Sequence, residues 1–242
     1  MRVLMVGGSG YVAGLVLPLL RERHEIHTLD LRPPPAPAGG HVLASATDHA
    51  ALRAAAEGMD AVVHCAMGRH DPRTPDGVSD AFDVNAKSVH LTLSAAHDAG
   101  VPHAVHVSSM SVYRDLEDRT LDESVPPDAT DVYGLTKRMG ELVCAAAVAE
   151  WGLSVNVLRL AYPTPDDAWP AWVVPPAAPV PRHTAAGTPI QATAGSDLAR
   201  ALLAALEHRD GLQFFTISGD TSAGIWSTAK AGRVLGWTPR VS

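Results

Sequence analysis

The sequence predicts an α/β fold built on a doubly wound parallel sheet. Two observations predict it: short β-branched or apolar runs alternate with longer helical stretches, and a glycine-rich turn joins the first run to the first helix. Such alternation implies right-handed crossovers that place helices on both faces of the sheet. The 242 residues, of which 46% are hydrophobic, supply enough apolar material for one large domain.

The first predicted strand, residues 3–6, is an apolar run typical of strands that are buried on both faces. It ends at the glycine-rich residues 7–10, after which a helix is predicted over about residues 11–23. The glycines interrupt the uncharged stretch of residues 3–20 and so argue against a signal peptide or a membrane span. A second strand is predicted over residues 25–29.

The turn after the first strand carries a nucleotide-binding pattern. Gly7, Gly10 and Ala13 follow the spacing G-x-x-G-x-x-A, and Asp30 lies 20 residues beyond Gly10. Glycines let the backbone approach a pyrophosphate, the helix N-terminus offers N–H groups, and the carboxylate can accept a hydrogen bond from a ribose hydroxyl. The pattern predicts a dinucleotide site that favours NAD, because Asp30 would repel a 2′-phosphate; Arg32 leaves NADP as the less favoured alternative.

The remaining elements continue the alternation. Strands are predicted at residues 42–44, 61–66, 104–107, 154–160 and 212–217, and helices at about 48–57, 78–99, 133–150 and 196–207. Prolines make residues 33–40 a predicted loop, and seven prolines in residues 163–181 predict an irregular segment over the carboxyl ends of the strands. We therefore expect a Rossmann-type nucleotide-binding domain, residues 1–162, and a small substrate-binding cap, residues 163–242, whose later helix and strand return to the main fold.

A candidate catalytic pair opens one predicted helix. Tyr133 and Lys137 are four residues apart and share one helix face, while the strand 104–107 runs towards Ser109. A phenol with a reference pKa of about 10 is a poor base at neutral pH, but an ammonium and a positive nicotinamide ring nearby would lower that pKa. Ser109 would hold the substrate oxygen. Lys137 could instead pair with Glu141 on the helix surface.

These motifs resemble those of the extended short-chain dehydrogenase/reductases of the NAD-dependent epimerase/dehydratase family. The resemblance implies catalysis by Ser109, Tyr133 and Lys137. It implies substrate binding by Ser109, Met110, Ser111, Tyr133 and Arg159. It further implies cofactor binding by Gly7, Ser9, Gly10, Tyr11, Val12, Asp30, Arg32, Asp48, Ala66, Met67, Asn85, Tyr133 and Lys137.

Several residues differ from the family pattern at positions that bear on which substrate is bound. Tyr162 stands where many nucleotide-sugar enzymes of the family carry Asn, and the cap is small. The length is similar to that of uronate dehydrogenases, which act on a free sugar acid, although Met110 and Ser111 replace the Asn-His pair that follows the catalytic serine there. Arg159 could clamp a substrate carboxylate or, equally, bind backbone carbonyls at the end of a core strand.

The leading functional hypothesis is an NAD-dependent oxidoreductase that transfers hydride between a sugar-like secondary alcohol and the nicotinamide. A sugar or nucleotide-sugar epimerase is the alternative within enzymes, because the same hydride can return to the opposite face of a transient ketone. A non-catalytic, dinucleotide-sensing regulator is the alternative from another class. The complete Ser-Tyr-Lys set argues against the regulator.

Composition sets the remaining expectations. A formal charge of −7 disfavours nucleic acid as a partner. No metal site is expected, since His103 and His106 are three apart on a strand and point to opposite faces. Cys65 and Cys144 lack a C-x-x-C spacing, which fits reduced thiols in the cytoplasm. The alanine-rich residues 145–149 could form a homodimer interface or cover the sheet.

Overall fold

The computed structural model describes residues 1–34, 39–69, 71–174, 176–221 and 224–240. Its strands are β1 (Arg2–Val6), β2 (Glu25–Asp30), β3 (Gly40–Leu43), β4 (Ala61–His64), β5 (His103–Ser109), β6 (Ser154–Leu160), β7 (Pro163–Thr164), β8 (Arg182–His183), β9 (Pro189–Ile190), β10 (Thr193–Ala194) and β11 (Leu212–Ile217). Its α-helices are α1 (Tyr11–Arg21), α2 (His49–Ala56), α3 (Pro75–Phe82), α4 (Ser88–Asp98), α5 (Val132–Trp151), α6 (Gly195–Glu207) and α7 (Ala229–Leu235).

Seven strands form one parallel sheet in the order β11-β6-β5-β4-β1-β2-β3, so the predicted α/β fold is confirmed. Every residue of β4 and β5 is buried, as expected for parallel strands that are covered on both faces. The strand order reverses between β1 and β4. In open α/β sheets, ligands bind outside the carboxyl ends of the strands at such a reversal.

Helices cover both faces of the sheet. Helices α1 and α6 pack together on one face, where the apolar cluster includes Phe215 and the fully buried Trp237. Helices α2, α4 and α5 cover the other face. In the alanine-rich part of α5, Ala147 is buried in this layer whereas Ala146 and Ala149 are exposed. That stretch therefore covers the sheet with one side and faces outward with the other.

The predicted helix over residues 78–99 is wrong in one respect. Helices α3 and α4 are joined by a π-helical turn at Asp83–Lys87, so the helix is not regular across its length. A π-turn adds a residue to the helical ladder and is found frequently at functional sites. The predicted strands 154–160 and 212–217 match β6 and β11 in both bounds.

The cap lies beyond the carboxyl end of β6. Strand β7 pairs with β10, and β8 pairs with β9, in two short ladders separate from the main sheet. The predicted irregular segment is anchored at Tyr11, whose hydroxyl lies 2.6 Å from the Val173 carbonyl oxygen and 3.1 Å from that of Pro163. Of the predicted proline loop at 33–40, residues 35–38 lie outside the described residues.

Candidate active site

The turn after β1 is packed directly against the chain that leaves β4. Gly7 has a φ of +85°, and a Cβ at this position would lie only 2.4 Å from the backbone nitrogen of Ala66. Only glycine satisfies both the left-handed backbone and this close approach. Two of the predicted cofactor residues, Gly7 and Ala66, are thus in contact at the point where the strand order reverses.

Helix α1 begins here without a side-chain cap. Gly10 is its N-cap residue, and among the described residues no side chain caps the first turn. The free N–H groups and the positive end of the helix dipole form an anion-binding position. Val12 is half-buried in this first turn. The chemistry of the donor set fits a pyrophosphate.

The Asp30 carboxylate is fixed beside this turn. Its Oδ2 accepts a hydrogen bond from Ser9 N at 3.0 Å, and its Oδ1 accepts one from Arg32 N at 3.3 Å. Ser9 Oγ donates to the Arg32 carbonyl oxygen at 2.5 Å, which ties the two turns together. The Arg32 side chain is exposed. Asp30 is therefore held in one orientation at the carboxyl end of β2.

The other residues predicted to bind cofactor occupy varied positions. Asp48 is exposed and caps α2, with its Oδ1 accepting from Ala51 N at 3.1 Å. Met67 follows Ala66 and is 57% exposed. Burial raises the pKa of Tyr11 to about 12, so its hydroxyl stays a neutral donor towards the cap.

Asn85 lies in the π-helical turn and has both ends of its amide bonded within the protein. Its Oδ1 accepts from Gly68 N at 3.1 Å, and its Nδ2 donates to Thr136 Oγ1 at 3.0 Å. The amide therefore links the chain beyond β4 to the first turns of α5. Asn85 positions the helix that carries Tyr133 and Lys137.

Ser109 and Tyr133 meet where β5 ends and α5 begins. Ser109 is the last residue of β5, and its Oγ accepts from Ser111 N at 3.1 Å. The start of α5 is packed tightly on this turn, because a Cβ on Gly134 would lie 2.3 Å from the Ser111 carbonyl oxygen. The side chains of Ser109 and Tyr133 lie within hydrogen-bonding reach of each other. Met110 is buried beside them.

The pKa of Tyr133 differs from what the sequence predicts, which is a value lowered by Lys137. Burial raises the pKa of Tyr133 above its ordinary value, and the hydrogen bond with Ser109 opposes the rise. Lys137 is buried and donates from Nζ to the Val107 carbonyl oxygen at 2.6 Å. Burial also lowers the pKa of Lys137 to about 8. Desolvation thus outweighs the lowering of the Tyr133 pKa that was expected from the sequence.

A buried ion pair lies behind Lys137. Arg159 donates from Nε and Nη2 to the Glu141 carboxylate at 3.0 and 2.8 Å, and both side chains are at most 5% exposed. Ser108 Oγ donates to the same carboxylate at 2.7 Å, and Arg159 also donates to the Tyr113 hydroxyl. Glu141 is therefore not a surface partner of Lys137. The Arg159 guanidinium is thus already bound by a side-chain carboxylate of the protein.

Sequence reasoning missed a cluster that we call the aromatic box: Tyr162, Trp172, Trp226, Arg182 and Glu117. The ring of Tyr162 lies 5.4 Å from that of Trp172 and 5.9 Å from that of Trp226, between centroids. The Arg182 guanidinium lies over Tyr162 and Trp172, 4.9 and 4.6 Å from their centroids. The Tyr162 hydroxyl donates to Glu117. The departure from the family pattern at Tyr162 was the one available signal.

His103 and His106, both buried in β5, face opposite sides of the sheet. His103 bonds the Ala205 carbonyl oxygen of α6, whereas His106 lies towards α5 with its ring 5.2 Å from that of His64, so the predicted opposite orientations are confirmed. Within the part of the chain that is described, no group of three or more His, Cys, Asp or Glu side chains could hold a metal ion. The helices among those residues include none with the length and apolarity that a membrane crossing needs.

Comparisons with known proteins agree with the fold. A 3-beta-hydroxysteroid dehydrogenase of Mycolicibacterium neoaurum is 31% identical over 170 residues, which are 65% of this chain and 46% of that protein. A uronate dehydrogenase of Pseudomonas putida is 26% identical over 69% of this chain and 63% of its own. The alignments span less than half of the first curated relatives.

A solved short-chain dehydrogenase/reductase superfamily protein from Agrobacterium tumefaciens, with bound NAD, superposes with a TM-score of 0.81 at 20% identity. The superposition covers 100% of this chain and 93% of that one. The model of the NAD dependent epimerase/dehydratase family matches residues 3–163, from the first strand to the start of the cap. With the glycine turn and the Ser109 and Tyr133 pair inside that match, the chain belongs to the NAD dependent epimerase/dehydratase family.

Proposed function

We propose that this protein is an NAD-dependent oxidoreductase that acts on a sugar-like secondary alcohol. The observation that carries the proposal is the close packing of the start of α5, which bears Tyr133, on the end of β5, which bears Ser109, at the carboxyl edge of the sheet. Lys137 follows one helical turn later. The uncapped N-terminus of α1 lies at the same edge, so a dinucleotide held there would extend towards the pair.

NAD fits the residues that are present. The backbone around Gly10 would hold its pyrophosphate and Asp30 its adenosine ribose, while the carboxylate would disfavour the 2′-phosphate of NADP. When bound, NAD supplies the hydride acceptor or donor. Asp48, Met67 and the other residues that the sequence predicts to bind the cofactor would contact NAD in the same site.

The residues of the chain handle the proton. Ser109 would hold the substrate oxygen by a hydrogen bond, and Tyr133 Oη would take the proton from the substrate hydroxyl, or return it in the reverse reaction. With a pKa of about 8, Lys137 is still mostly protonated at neutral pH. Its positive charge, fixed one turn from Tyr133, favours the phenolate during the transfer. Met110 and Ser111, which follow Ser109 directly, would line the substrate.

A sugar epimerase is the second candidate, because the family whose model matches contains epimerases by name. An epimerase would interconvert substrates without net reduction of NAD, whereas the proposed oxidoreductase accumulates NADH. The homodimer and the cytoplasmic location stay predictions.

The test is a screen of aldoses, uronates and nucleotide sugars with NAD or NADP, followed by the absorbance of the reduced cofactor. Tyr133→Phe should lower kcat about 10²–10⁴-fold, the range that general acid–base catalysis contributes. Tyr113→Phe is the matched control, since it also removes a buried hydroxyl but one bonded to Arg159. Equal rates for Tyr133→Phe and the parent would refute the catalytic assignment. Calorimetry that detects binding of neither dinucleotide would refute the whole proposal.

A further inference from the structure

The aromatic box lies beside the proposed catalytic pair. Strand β6 pairs with β5 so that Leu160 is opposite Ser109, and Tyr162 comes two residues beyond that point. Trp172 precedes Val173, whose carbonyl accepts from Tyr11 at the start of α1. The box is therefore attached both to the strand edge that carries Ser109 and to the first residue of α1, the helix that follows the glycine turn.

The box already holds a carboxylate that belongs to the protein. The Tyr162 hydroxyl donates to Glu117 Oε1, and Arg182 Nη1 lies 3.9 Å from the same oxygen. Glu117 sits on a single 3₁₀ turn, Leu116–Asp118, and its side chain is about one third exposed. The structure thus shows that these donors converge on a carboxylate, and that the group they hold is on a short surface turn.

The aromatic box contains more hydrogen-bond donors than Glu117 accepts from. Trp172 Nε1 and Arg182 Nε are buried and have no hydrogen-bond partner among the described residues. Buried donors are normally satisfied, so two such groups in one cluster indicate that an acceptor is missing. The Arg182 guanidinium lies over two rings, which restrict where its N–H groups can point. Both unpaired donors suit a second carboxylate.

The backbone of Tyr162 is also held in an unusual conformation. Its φ of +40° is rare for a residue with a Cβ, and Thr193 N donates to its carbonyl oxygen at 2.9 Å. Strain of this kind persists only where the surroundings impose it. It places the Tyr162 ring at the exit of β6, where the Arg182 guanidinium lies over it.

We propose that the aromatic box binds the carboxylate of a nucleotide-free sugar acid through Arg182 and Trp172, and that Glu117 is an internal occupant which this carboxylate displaces. The inference rests on the proposed function, and it names the substrate class of that same site. It assigns the carboxylate to Arg182 because Arg159 is closed by Glu141. No covalent step is involved.

Binding of D-glucuronate and D-glucose to the NADH complex tests the proposal, because the two sugars differ only in the carboxylate at C6. Calorimetry gives the affinity of each sugar for the NADH complex. The parent should prefer D-glucuronate at least tenfold. Arg182→Gln should abolish that preference, while the matched control Arg233→Gln, which changes an exposed arginine on α7, should keep it.

Two further variants keep the test decisive if Arg182→Gln fails to fold. Trp172→Phe keeps an aromatic ring but removes the N–H, and should weaken D-glucuronate binding severalfold without affecting D-glucose binding. Glu117→Gln removes the competing charge and should tighten D-glucuronate severalfold. A purely structural cluster would not gain affinity when Glu117 is neutralised.

The outcomes separate the two proposals. If NADH itself does not bind the parent, the proposed function fails. If NADH binds all variants alike but Arg182→Gln retains the preference for D-glucuronate, or Glu117→Gln gains no affinity, only the present inference fails. Tighter binding of UDP-glucuronate than of D-glucuronate would likewise overturn it, since the nucleotide would then be part of what the site recognises.

Discussion

Replacing Glu141 with Gln would leave the Arg159 guanidinium buried without its counter-ion. The two side chains are 5% and 4% exposed and share two hydrogen bonds, at 3.0 and 2.8 Å. Glu141 also accepts from Ser108, the neighbour of Ser109, so the pair fixes α5 against the end of β5. The variant therefore tests whether this pair supports the fold beneath the proposed site.

The expected loss follows from the burial. Removing one partner of a buried ion pair costs about 3–5 kcal/mol, because the other charge remains uncompensated. Here Arg159 keeps the Tyr113 hydroxyl and the face of Phe214, 4.8 Å from its centroid, and Gln keeps the shape of Glu. We expect the lower end, about 3 kcal/mol. In a chain of this length that corresponds to a Tm lowered by roughly 6–12 °C.

Thermal and urea unfolding followed by circular dichroism measure the effect. Glu57→Gln is the matched control: Glu57 is exposed and lies 3.9 Å from Arg53, so its loss should cost less than about 0.5 kcal/mol. A double variant, Glu141→Met with Arg159→Met, should be more stable than Glu141→Gln because no charge is left buried. A loss below about 1 kcal/mol in Glu141→Gln, or a double variant less stable than it, would refute this reasoning.

Three further predictions concern titration, packing and cofactor choice. Burial lowers the pKa of His64 to about 3 and that of His106 well below its ordinary value. Below about pH 6.5 the unfolded chain therefore binds more protons than the folded one, and each histidine lowers the free energy of unfolding by about 1.4 kcal/mol for each unit by which the pH is lowered. His64→Gln should lessen this slope in urea titrations between about pH 7 and pH 4, and an unchanged slope would contradict the lowered pKa of His64. Gly7→Ala should prevent folding or lower the Tm strongly, because its Cβ would meet Ala66, whereas Gly14→Ala, with nothing within 4 Å, should stabilise α1 by up to about 1 kcal/mol; similar melting temperatures would show that the turn is looser than described. Asp30→Ser should reduce the preference for NAD over NADP on the order of tenfold in calorimetry, since a repelling charge is removed; an unaltered ratio would mean that Asp30 does not face the ribose.

Most of the fold can be predicted from patterns of residues that are close together in the sequence. The apolar run of β1, the glycine turn after it and the start of α1 are predictable because strand, turn and helix preferences depend on neighbouring residues. The predicted limits of β6 and β11 match the observed ones. The π-turn at Asp83–Lys87 escaped, since it depends on the bonds that Asn85 makes to Gly68 and Thr136.

By itself, the sequence determined the parallel α/β architecture, the nucleotide turn and the nearness of Tyr133 to Lys137, because each follows from chemistry repeated at short spacing along the chain. Only the tertiary structure decided that Arg159 is occupied by Glu141 and that Arg182 joins Tyr162 in the aromatic box. It also decided that burial raises the pKa of Tyr133. Desolvation and charge pairing depend on residues that lie far apart in the chain, and folding alone brings them together.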